Sequence, residues 1–397
     1  MFVFYFFAII QIFLGYKSLR GGFDFLAYFK QELNNEPSDY KPFASVIVPC
    51  RGIDKDLVKN LEAITSQNYP DYEVVFVVED RADEAFELID EIKAAAPGTH
   101  LVMAGKATDS GQKVHNLREA VLKISNKSEV IVFVDSDARP GRNWLQHLVG
   151  PLKNYRIGCS TGYRWFVQKN GGFPTHLRSV WNASIASSLG GDQKRNFCWG
   201  GSTAIRRSVF EDLEVRKRWK GTLSDDFALT SILKEAGLQI HFVPQCLTAT
   251  VEDCSFRELL EFSTRQIKIT RVYSPAHFRV SLIGSALFTG TLLTGIFLLF
   301  IASGLHFWIT LLAVSAILAL GLAKARVRLQ AVRLILRDYK DELSRQVLPQ
   351  LTLWLITPFL YLYNNIRALL SREIVWRGIR YELVSANKTV IIKKNEE

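Results

Sequence analysis

Residues 130–137, Val-Ile-Val-Phe-Val-Asp-Ser-Asp, determine the predicted fold of this chain. Five consecutive apolar residues, mostly β-branched, predict a strand that is buried on both faces. Asp135 and Asp137 follow it directly, where two carboxylates can share one hard divalent cation, Mn²⁺ or Mg²⁺, that also bridges to substrate phosphates. The alternative is a loop with an Asx turn, because Asp and Ser are ordinary turn formers. The preceding strand favours the metal site, since ligands bind at the ends of such strands.

Three similar apolar runs precede this strand and alternate with helical segments. The runs lie at 45–49, 73–78 and 100–104, and the helical segments lie at 56–66, 84–96 and 112–124. Strands that alternate with helices are typical of βαβ units with a parallel sheet. The sequence therefore predicts an α/β, Rossmann-like domain over residues 43–275.

Polar residues follow the predicted strands at the edge where ligands bind. Glu79 and Asp80 end the second strand, and Asp80 can accept a hydrogen bond from a base or a ribose; the alternative is a solvated acidic loop. The loop at 105–113 lacks the spacing of a Walker loop, but it carries Lys113 and leads to Asn116, which can contact a diphosphate. The predicted donor-binding residues at this edge are Arg51, Asp80, Lys113, Asn116 and Asp135.

Asp225 and Asp226 precede a predicted helix, where paired acids also cap the helix and offset its dipole. Transfer of a group to a hydroxyl needs a carboxylate as general base within hydrogen-bond reach, and one of this pair is the natural candidate. Trp199 and Gly200 are candidates for an acceptor site, with Asp225 beside them. Buried aromatic residues are more often part of the core, which is the alternative for Trp199.

Apolar segments at both ends of the chain predict membrane association. Residues 1–16 predict an N-terminal anchor that is retained, because basic residues follow the apolar run rather than precede it. Residues 280–323 predict two transmembrane helices, and 328–346 an interfacial helix with charges on one face. Residues 348–370 predict a third membrane segment, which either spans or re-enters, and 371–397 a basic tail. If 348–370 crossed once, this tail would lie outside, against the positive-inside rule.

The net charge of +10 comes largely from Lys and Arg residues beside these apolar segments. Such placement is expected on the cytoplasmic side of a membrane protein and argues against nucleic-acid binding. Arg265 and Lys268 also lie beside an apolar segment. They either bind the diphosphate or form the basic flank of the next span. The five cysteines are scattered without a C-x-x-C pair, as in a protein of a reducing compartment.

In the order of these features the chain resembles the membrane glycosyltransferases of the ceramide glucosyltransferase type. The matching stretches are Pro49-Cys50-Arg51-Gly52, Asn60-Leu61-Glu62, Tyr69-Pro70-Asp71-Tyr72-Glu73-Val74, Lys113-Val114-His115-Asn116-Leu117, Asp135-Ser136 and Trp376-Arg377-Gly378-Ile379-Arg380-Tyr381. The last stretch is the most specific to that family. The resemblance covers nearly the whole chain and implies an A-type glycosyltransferase domain between N-terminal and C-terminal membrane helices.

The resemblance also implies roles for the acids. Asp80 corresponds to the acid that contacts the nucleotide, Asp135 to the one beside the metal and diphosphate, and Asp226 to the catalytic base, with Asp225 as its acidic neighbour. Related enzymes carry a Gln/Arg-x-x-Arg-Trp motif before the membrane helices, and here Lys268 and Ile269 replace its Arg and Trp. Lys keeps the charge but cannot form the bidentate phosphate contact of Arg.

We therefore expect an inverting glycosyltransferase that moves a sugar from a UDP-sugar to the hydroxyl of a membrane lipid, ceramide or similar, in glycolipid or sphingolipid metabolism. Its catalytic domain is expected to face the cytosol, at the inner membrane of a bacterium or at the Golgi or ER of a eukaryote. One alternative is a processive polysaccharide synthase, which usually needs more spans and a complete Arg-Trp motif. Another is a non-catalytic membrane scaffold.

Overall fold

A computed structural model describes residues 1–36, 38–54 and 56–394, and the chain divides into two compact units. The first unit comprises Met1–Gln31, Phe166–Ser187 and Val251–Ser371; the second comprises Glu32–Trp165, Ser188–Thr250 and Arg372–Glu397. The last residues of the predicted basic tail, 395–397, lie outside the described part. After the roles that the sequence predicts for them, we call the first the membrane unit and the second the catalytic unit.

Ten strands and fifteen α-helices are present in the described residues. The strands are β1 Ala44–Pro49, β2 Tyr72–Val78, β3 Thr99–Met103, β4 Val130–Phe133, β5 Ile157–Val167, β6 Thr203–Arg206, β7 Gln239–Val251, β8 Glu373–Trp376, β9 Ile379–Ser385 and β10 Lys388–Lys394. The helices are α1 Phe2–Asn34, α2 Leu57–Thr65, α3 Ala85–Ala95, α4 Gln112–Ala120, α5 Trp144–Val149, α6 Phe173–Ala186, α7 Arg207–Asp212, α8 Val215–Arg218, α9 Asp225–Glu235, α10 Phe256–Tyr273, α11 Pro275–Ile301, α12 Gly304–Ile335, α13 Lys340–Arg345, α14 Val347–Thr352 and α15 Thr357–Leu370.

The catalytic unit is built on a seven-stranded sheet with the order β3-β2-β1-β4-β6-β5-β7. Strands β1, β2, β3 and β4 run parallel, and β6 is antiparallel to both β4 and β5. The four parallel strands are the four predicted apolar runs, each within one residue of its predicted bounds. The predicted α/β class is confirmed.

Burial of the parallel strands explains their composition. Val75 and Val77 of β2 and Phe133 of β4 are almost fully buried in one cluster that includes Val114 and Leu117 of α4. β-Branched residues fit such strands, which are covered on both faces. Because α4 packs through Val114 and Leu117, the helix is fixed with its first turn near the ends of the strands.

The membrane unit contains three helices that are long and apolar enough to cross a membrane, among the residues described: Phe2–Asn34, Pro275–Ile301 and Gly304–Ile335. Phe4 of α1 packs with Leu292 of α11 and Val314 of α12 in one buried cluster. Helix α1 has 33 residues, about 50 Å at 1.5 Å per residue, so it continues well beyond the predicted anchor at 1–16. The finding supports a membrane protein.

The structure divides the segment at 328–346, for which the sequence predicted a single interfacial helix. Helix α12 continues to Ile335, a 3₁₀ turn follows at Arg337–Tyr339, and α13 begins at Lys340. The expected charged face is interrupted because Arg328 is buried and donates from Nη2 to Gln350 Oε1 at 3.1 Å. Residues 348–370 form α14, a 3₁₀ turn and α15, and none of these is among the candidate spans.

Most residues of the predicted basic tail, those at 373–394, instead form a three-stranded sheet. Strands β8, β9 and β10 pair antiparallel, and Ile379, Tyr381 and Leu383 of β9 are buried in alternation with exposed neighbours. This period of two is that of a strand with one covered face. The sheet, called the C-terminal sheet below, belongs to the catalytic unit.

Candidate active site

The ends of the central strands bring the predicted site residues of the catalytic unit to one edge. In the parallel register Pro49 pairs with Val77 and Ile47 pairs with Phe133. Arg51, Glu79 and Asp135 come one or two residues after these strands. This edge of a parallel sheet is where such folds bind ligands.

Lys113 forms the centre of the charged cluster at this edge. Its Nζ lies 2.7 Å from Asp135 Oδ1 and 3.3 Å from Asp225 Oδ1, and its side chain is only 16% exposed. Two acids that are far apart in the sequence thus share one ammonium group. Lys113 was predicted from the loop before α4, and the structure joins it to both carboxylates.

The charges of this cluster perturb one another. Burial raises the pKa of Asp225 to about 6, an effect that Lys113 opposes and the neighbouring Asp226 and Asp135 reinforce. Burial disfavours ionisation of Asp135 too, but Lys113, Arg164 and, more weakly, Arg377 hold its pKa below the ordinary value. Burial alone would lower the pKa of Lys113, yet the surrounding carboxylates raise it. Lys113 is therefore charged, and Asp225 titrates near neutral pH.

Asp226 lies at the first turn of α9 and is more exposed than Asp225. Ser224 is the N-cap, and its hydroxyl accepts a hydrogen bond from the amide of Phe227 at 3.4 Å. The same hydroxyl donates to Asp226 Oδ1, which also accepts from the Phe227 amide at 2.7 Å. One oxygen of Asp226 is thus fixed by the helix start, and the carboxylate acts electrostatically on Lys113.

Arg164 is a site residue that sequence reasoning missed. Its Nη2 lies 3.4 Å from Asp135 Oδ2 and its Nη1 lies 3.4 Å from Asp137 Oδ2. Its guanidinium also lies 4.9 Å from the ring centroid of Trp199, within the range of a cation–π contact. Arg164 lies in β5, which follows the predicted βαβ units in the sequence and pairs with β6. No local sequence pattern therefore identifies it.

The Asp135–Asp137 pair was tested as a metal site by its donor set. Both carboxylates face the guanidinium of Arg164. Each N–O distance is 3.4 Å, which is longer than that of a tight ion pair. Among the described residues, no group of three or more His, Cys, Asp or Glu side chains is arranged to hold a metal. Mg²⁺ commonly takes one or two carboxylates and completes its shell with substrate phosphates and water. The pair fits that mode of binding.

Gly200 and Trp199 adjoin the charged cluster. A Cβ atom at Gly200 would lie 2.2 Å from Asp225 Oδ2 and 2.8 Å from Lys113 Nζ, so any larger residue would displace the ion pair. Trp199 is 5% exposed, and its ring lies 5.5 Å from that of Tyr163. Trp199 is thus largely core, and its predicted acceptor role stays a prediction.

The remaining predicted donor residues lie around the ends of β1 and β2 and on α4. Arg51 Nη1 lies 2.9 Å from Glu79 Oε2, so its acidic partner is Glu79 rather than Asp80. Asp80 Oδ1 accepts from the amide of Ala82 at 2.9 Å in the loop after β2. Asn116 is buried and accepts from Gln112 Nε2 at 2.8 Å.

Arg265 and Lys268 lie on α10 in the membrane unit. The other predicted site residues lie in the catalytic unit, at Arg51, Asp80, Lys113, Asn116, Asp135, Asp137, Trp199, Gly200, Asp225 and Asp226. A contact of Arg265 or Lys268 with the donor diphosphate therefore stays a prediction.

Over residues 2–389 the sequence matches the family described as Glycosyl transferase family 21. It is 27% identical over 175 residues to glycosyltransferase AglE from Haloferax volcanii, 26% over 242 residues to an N-acetylglucosaminyltransferase from Bradyrhizobium diazoefficiens, and 29% over 98 residues to ceramide glucosyltransferase 1 from Caenorhabditis elegans. These alignments cover 43%, 58% and 24% of this chain, and the chain spans about half or less of these relatives: 55%, 49% and 21%.

Among solved structures, the chain is similar to the mannosyltransferase PcManGT from Pyrobaculum calidifontis in complex with GDP-Man and Mn²⁺, with 18% identity and a TM-score of 0.46 over 91% of this chain and 98% of that one. It is also similar to GalNAc-T7 with UDP, GalNAc and Mn²⁺, with 14% identity and a TM-score of 0.41 over 58% of this chain and 51% of that one.

Proposed function

The chain belongs to glycosyl transferase family 21, and on this premise we propose that it transfers a sugar from a UDP-sugar to the hydroxyl of a membrane lipid, ceramide or a lipid of similar shape. The match confirms the predicted resemblance, and the chain is a glycosyltransferase with a nucleotide-sugar-binding fold and membrane helices. The UDP-sugar, the lipid acceptor and the inverting course are the proposal.

One observation carries the proposal: Asp135 and Asp225 both contact Lys113 at the carboxyl edge of the sheet, and Asp226, the next residue after Asp225, acts on Lys113 electrostatically. Glycosyl transfer needs a positive group beside the departing diphosphate and a carboxylate beside the attacking hydroxyl. The cluster contains both kinds of group within a few ångströms. A structural ion pair alone would not need a third carboxylate, which repels the other two.

In the proposed reaction Asp226 takes the proton of the acceptor hydroxyl. The hydroxyl oxygen forms a bond to the anomeric carbon while the bond from that carbon to the diphosphate breaks, so the configuration inverts. Lys113 stabilises the charge that develops on the departing nucleoside diphosphate. Asp225, with its pKa of about 6, is the buried neighbour that holds Lys113 in position.

Donor binding is proposed for residues at the neighbouring strand ends and on α4. Arg51 and Asp80 lie where a nucleotide would meet β1 and β2, and Asn116 lies one turn of α4 beyond Lys113. A divalent cation held by Asp135 and Asp137 would supply further positive charge to the diphosphate when bound.

The proposed acceptor follows from the membrane helices. A lipid leaves the bilayer only at a large cost, about 0.8 kcal/mol for each buried CH₂ group, so an enzyme that acts on lipid gains from being embedded. We infer that the catalytic unit faces the cytosol, because Lys17 and Arg20 follow the apolar start of α1 and Arg326 and Arg333 lie near the end of α12.

The test is incubation of the purified full chain with a panel of sugar donors and lipids. Donors are UDP-glucose, UDP-N-acetylglucosamine, UDP-galactose and GDP-mannose; acceptors are ceramide, diacylglycerol and a hopanoid. Mass spectrometry of the lipids should show one added sugar from a UDP donor. A polymer would instead indicate a processive synthase, and donor binding without any product would indicate a scaffold.

The Asp226→Asn variant tests the proposed base. Loss of a general base typically costs 10²–10⁴-fold in rate, so we expect transfer to fall by at least about 10² while UDP binding changes less than about twofold. Asp212→Asn, an exposed acid at the end of α7 in the same unit, is the matched control. Turnover of Asp226→Asn equal to that of the control would remove Asp226 from the mechanism.

A further inference from the structure

The C-terminal sheet presents an arginine on a tight turn. Trp376 of β8 pairs with Ile379 of β9, and Arg377 and Gly378 form the two-residue loop between them, with φ angles of 49° and 74°. Hairpins of this kind favour positive φ at both loop residues. Glycine adopts this conformation freely, but an arginine seldom does. The turn thus fixes the position from which the Arg377 side chain extends.

The C-terminal sheet contacts two loops of the catalytic unit that lead into the site. The hydroxyl of Tyr381, a buried residue, accepts a hydrogen bond from the amide of Gln112 at 3.2 Å, next to Lys113. A Cβ atom at Gly221 would lie 2.2 Å from the carbonyl oxygen of Asn387, so the loop before Asp225 packs directly on the β9–β10 turn. The sheet therefore sits at the site edge rather than at a remote surface.

Arg377 is linked to the Asp-Ser-Asp motif through one carboxylate. Its Nη2 lies 2.6 Å from Asp54 Oδ1 in the loop after β1, and Asp54 Oδ2 accepts from Ser136 Oγ at 3.0 Å. Ser136 is the central residue of the motif. Arg377 also interacts electrostatically with the two outer residues, Asp135 and Asp137. A cation thus lies beside the carboxylates where the donor diphosphate is expected.

We propose that Arg377 is a donor-binding residue whose guanidinium binds the diphosphate of the nucleotide sugar. A guanidinium has five N–H donors in a planar fork, and the contact with Asp54 uses one edge of it. The Arg377 side chain is 43% exposed whereas that of Asp54 is 15% exposed, so part of the arginine side chain remains accessible while its carboxylate partner is largely covered. Arginine suits phosphate because it can donate two parallel hydrogen bonds. The proposal rests on the proposed function, since it assumes a nucleoside diphosphate at this edge.

A purely structural ion pair is the competing explanation of the Arg377–Asp54 contact. In that case removal of either partner would weaken the docking of the C-terminal sheet to the same extent. In a donor-binding role, loss of Arg377 removes a ligand of the diphosphate, whereas Asp54→Asn removes the charge that holds Arg377 and keeps a side-chain oxygen that can accept from Ser136 Oγ. The two explanations thus differ in the comparison of Arg377→Ala with Asp54→Asn.

The experiment measures binding of UDP to the full chain in detergent by calorimetry, with thermal unfolding of each variant recorded alongside. Arg377→Ala should weaken UDP binding by at least about tenfold, the loss typical of a charge-assisted hydrogen bond. Arg377→Lys should recover part of the loss. The Kd of Asp54→Asn for UDP should be at least about fivefold lower than that of Arg377→Ala. Arg380→Ala is the matched control, because Arg380 lies in the same sheet and pairs with Glu373 within it.

Equal weakening of UDP binding by Arg377→Ala and Asp54→Asn, or binding by Arg377→Ala within twofold of the Arg380→Ala control, would overturn the proposal. GDP is measured in parallel to separate this outcome from failure of the proposed function. If the wild-type chain binds GDP but not UDP, the uridine donor is wrong, while the effect of Arg377→Ala on GDP binding still tests the diphosphate contact.

Discussion

Substitution of Gly200 by alanine should disable turnover through the ion pair of Lys113 and Asp225. The new Cβ atom would lie 2.2 Å from Asp225 Oδ2, about 1.2 Å short of the 3.4 Å at which ordinary contact begins. Lys113 Nζ, at 2.8 Å from the same Cβ, is held by Asp135 at 2.7 Å and cannot retreat freely. The Asp225 carboxylate must therefore move by roughly 1 Å, a displacement that can cost about 10²-fold in rate.

The assay is the release of nucleoside diphosphate at saturating donor and lipid, with thermal unfolding measured in the same detergent. We expect kcat of Gly200→Ala to fall about 10²-fold, equivalent to about 2.7 kcal/mol, while overpacking costs about 1–3 kcal/mol of stability. Gly190→Ala is the control, because a Cβ atom there would meet nothing within 4 Å. If folded Gly200→Ala keeps more than a third of the control's kcat, the Lys113–Asp225 contact does not set the rate.

Two further predictions concern the acids of the cluster. The pKa of Asp225 is raised from 3.8 to about 6 in the folded chain, so the folded state binds the Asp225 proton more tightly and loses stability as pH rises through about 4 to 6. Relative to Asp225→Asn, the wild type should lose up to about 3 kcal/mol of unfolding free energy over this range. Parallel curves of melting temperature against pH for the two proteins would contradict the assignment. Chelation of divalent cations should abolish transfer, and addition of Mn²⁺ or Mg²⁺ should restore it. Asp137→Asn should raise the half-saturating metal concentration about tenfold or more. Full activity of the chelated wild type would rule out the metal site.

The sequence predicted the parallel half of the sheet well because its signals are local. Strands β1 to β4 coincide with mostly apolar runs of four to seven residues. The placement of the acids that follow these strands needed only the rule that parallel strands end at a common edge. The helix starting at Asp225 was also visible, since Ser224 and the paired acids form a local cap.

The parts that sequence reasoning missed depend on pairings between distant segments. Arg164 reaches Asp135 because β5 is paired with β6, an antiparallel contact that no local pattern encodes. The sequence predicts a basic tail in place of the C-terminal sheet because the exposed positions of the sheet carry Lys and Arg. The alternation of Ile379, Tyr381 and Leu383 was the signal that could have identified it as a strand.

The C-terminal sheet has a consequence for how the chain is threaded through the bilayer. Residues 372–394 fold with residues 44–165, so the polypeptide must return to the compartment it left before α11. If helices α11 and α12 both cross the bilayer, they make one round trip, and residues 347–370 can then add only an even number of crossings, most simply none. Helix α15 has 14 residues, about 21 Å, too short for a hydrocarbon layer of about 30 Å. Residues 251–371 of the membrane unit thus interrupt the catalytic unit in the sequence, and a chain trimmed to end at residue 371 would lack the C-terminal sheet of that unit.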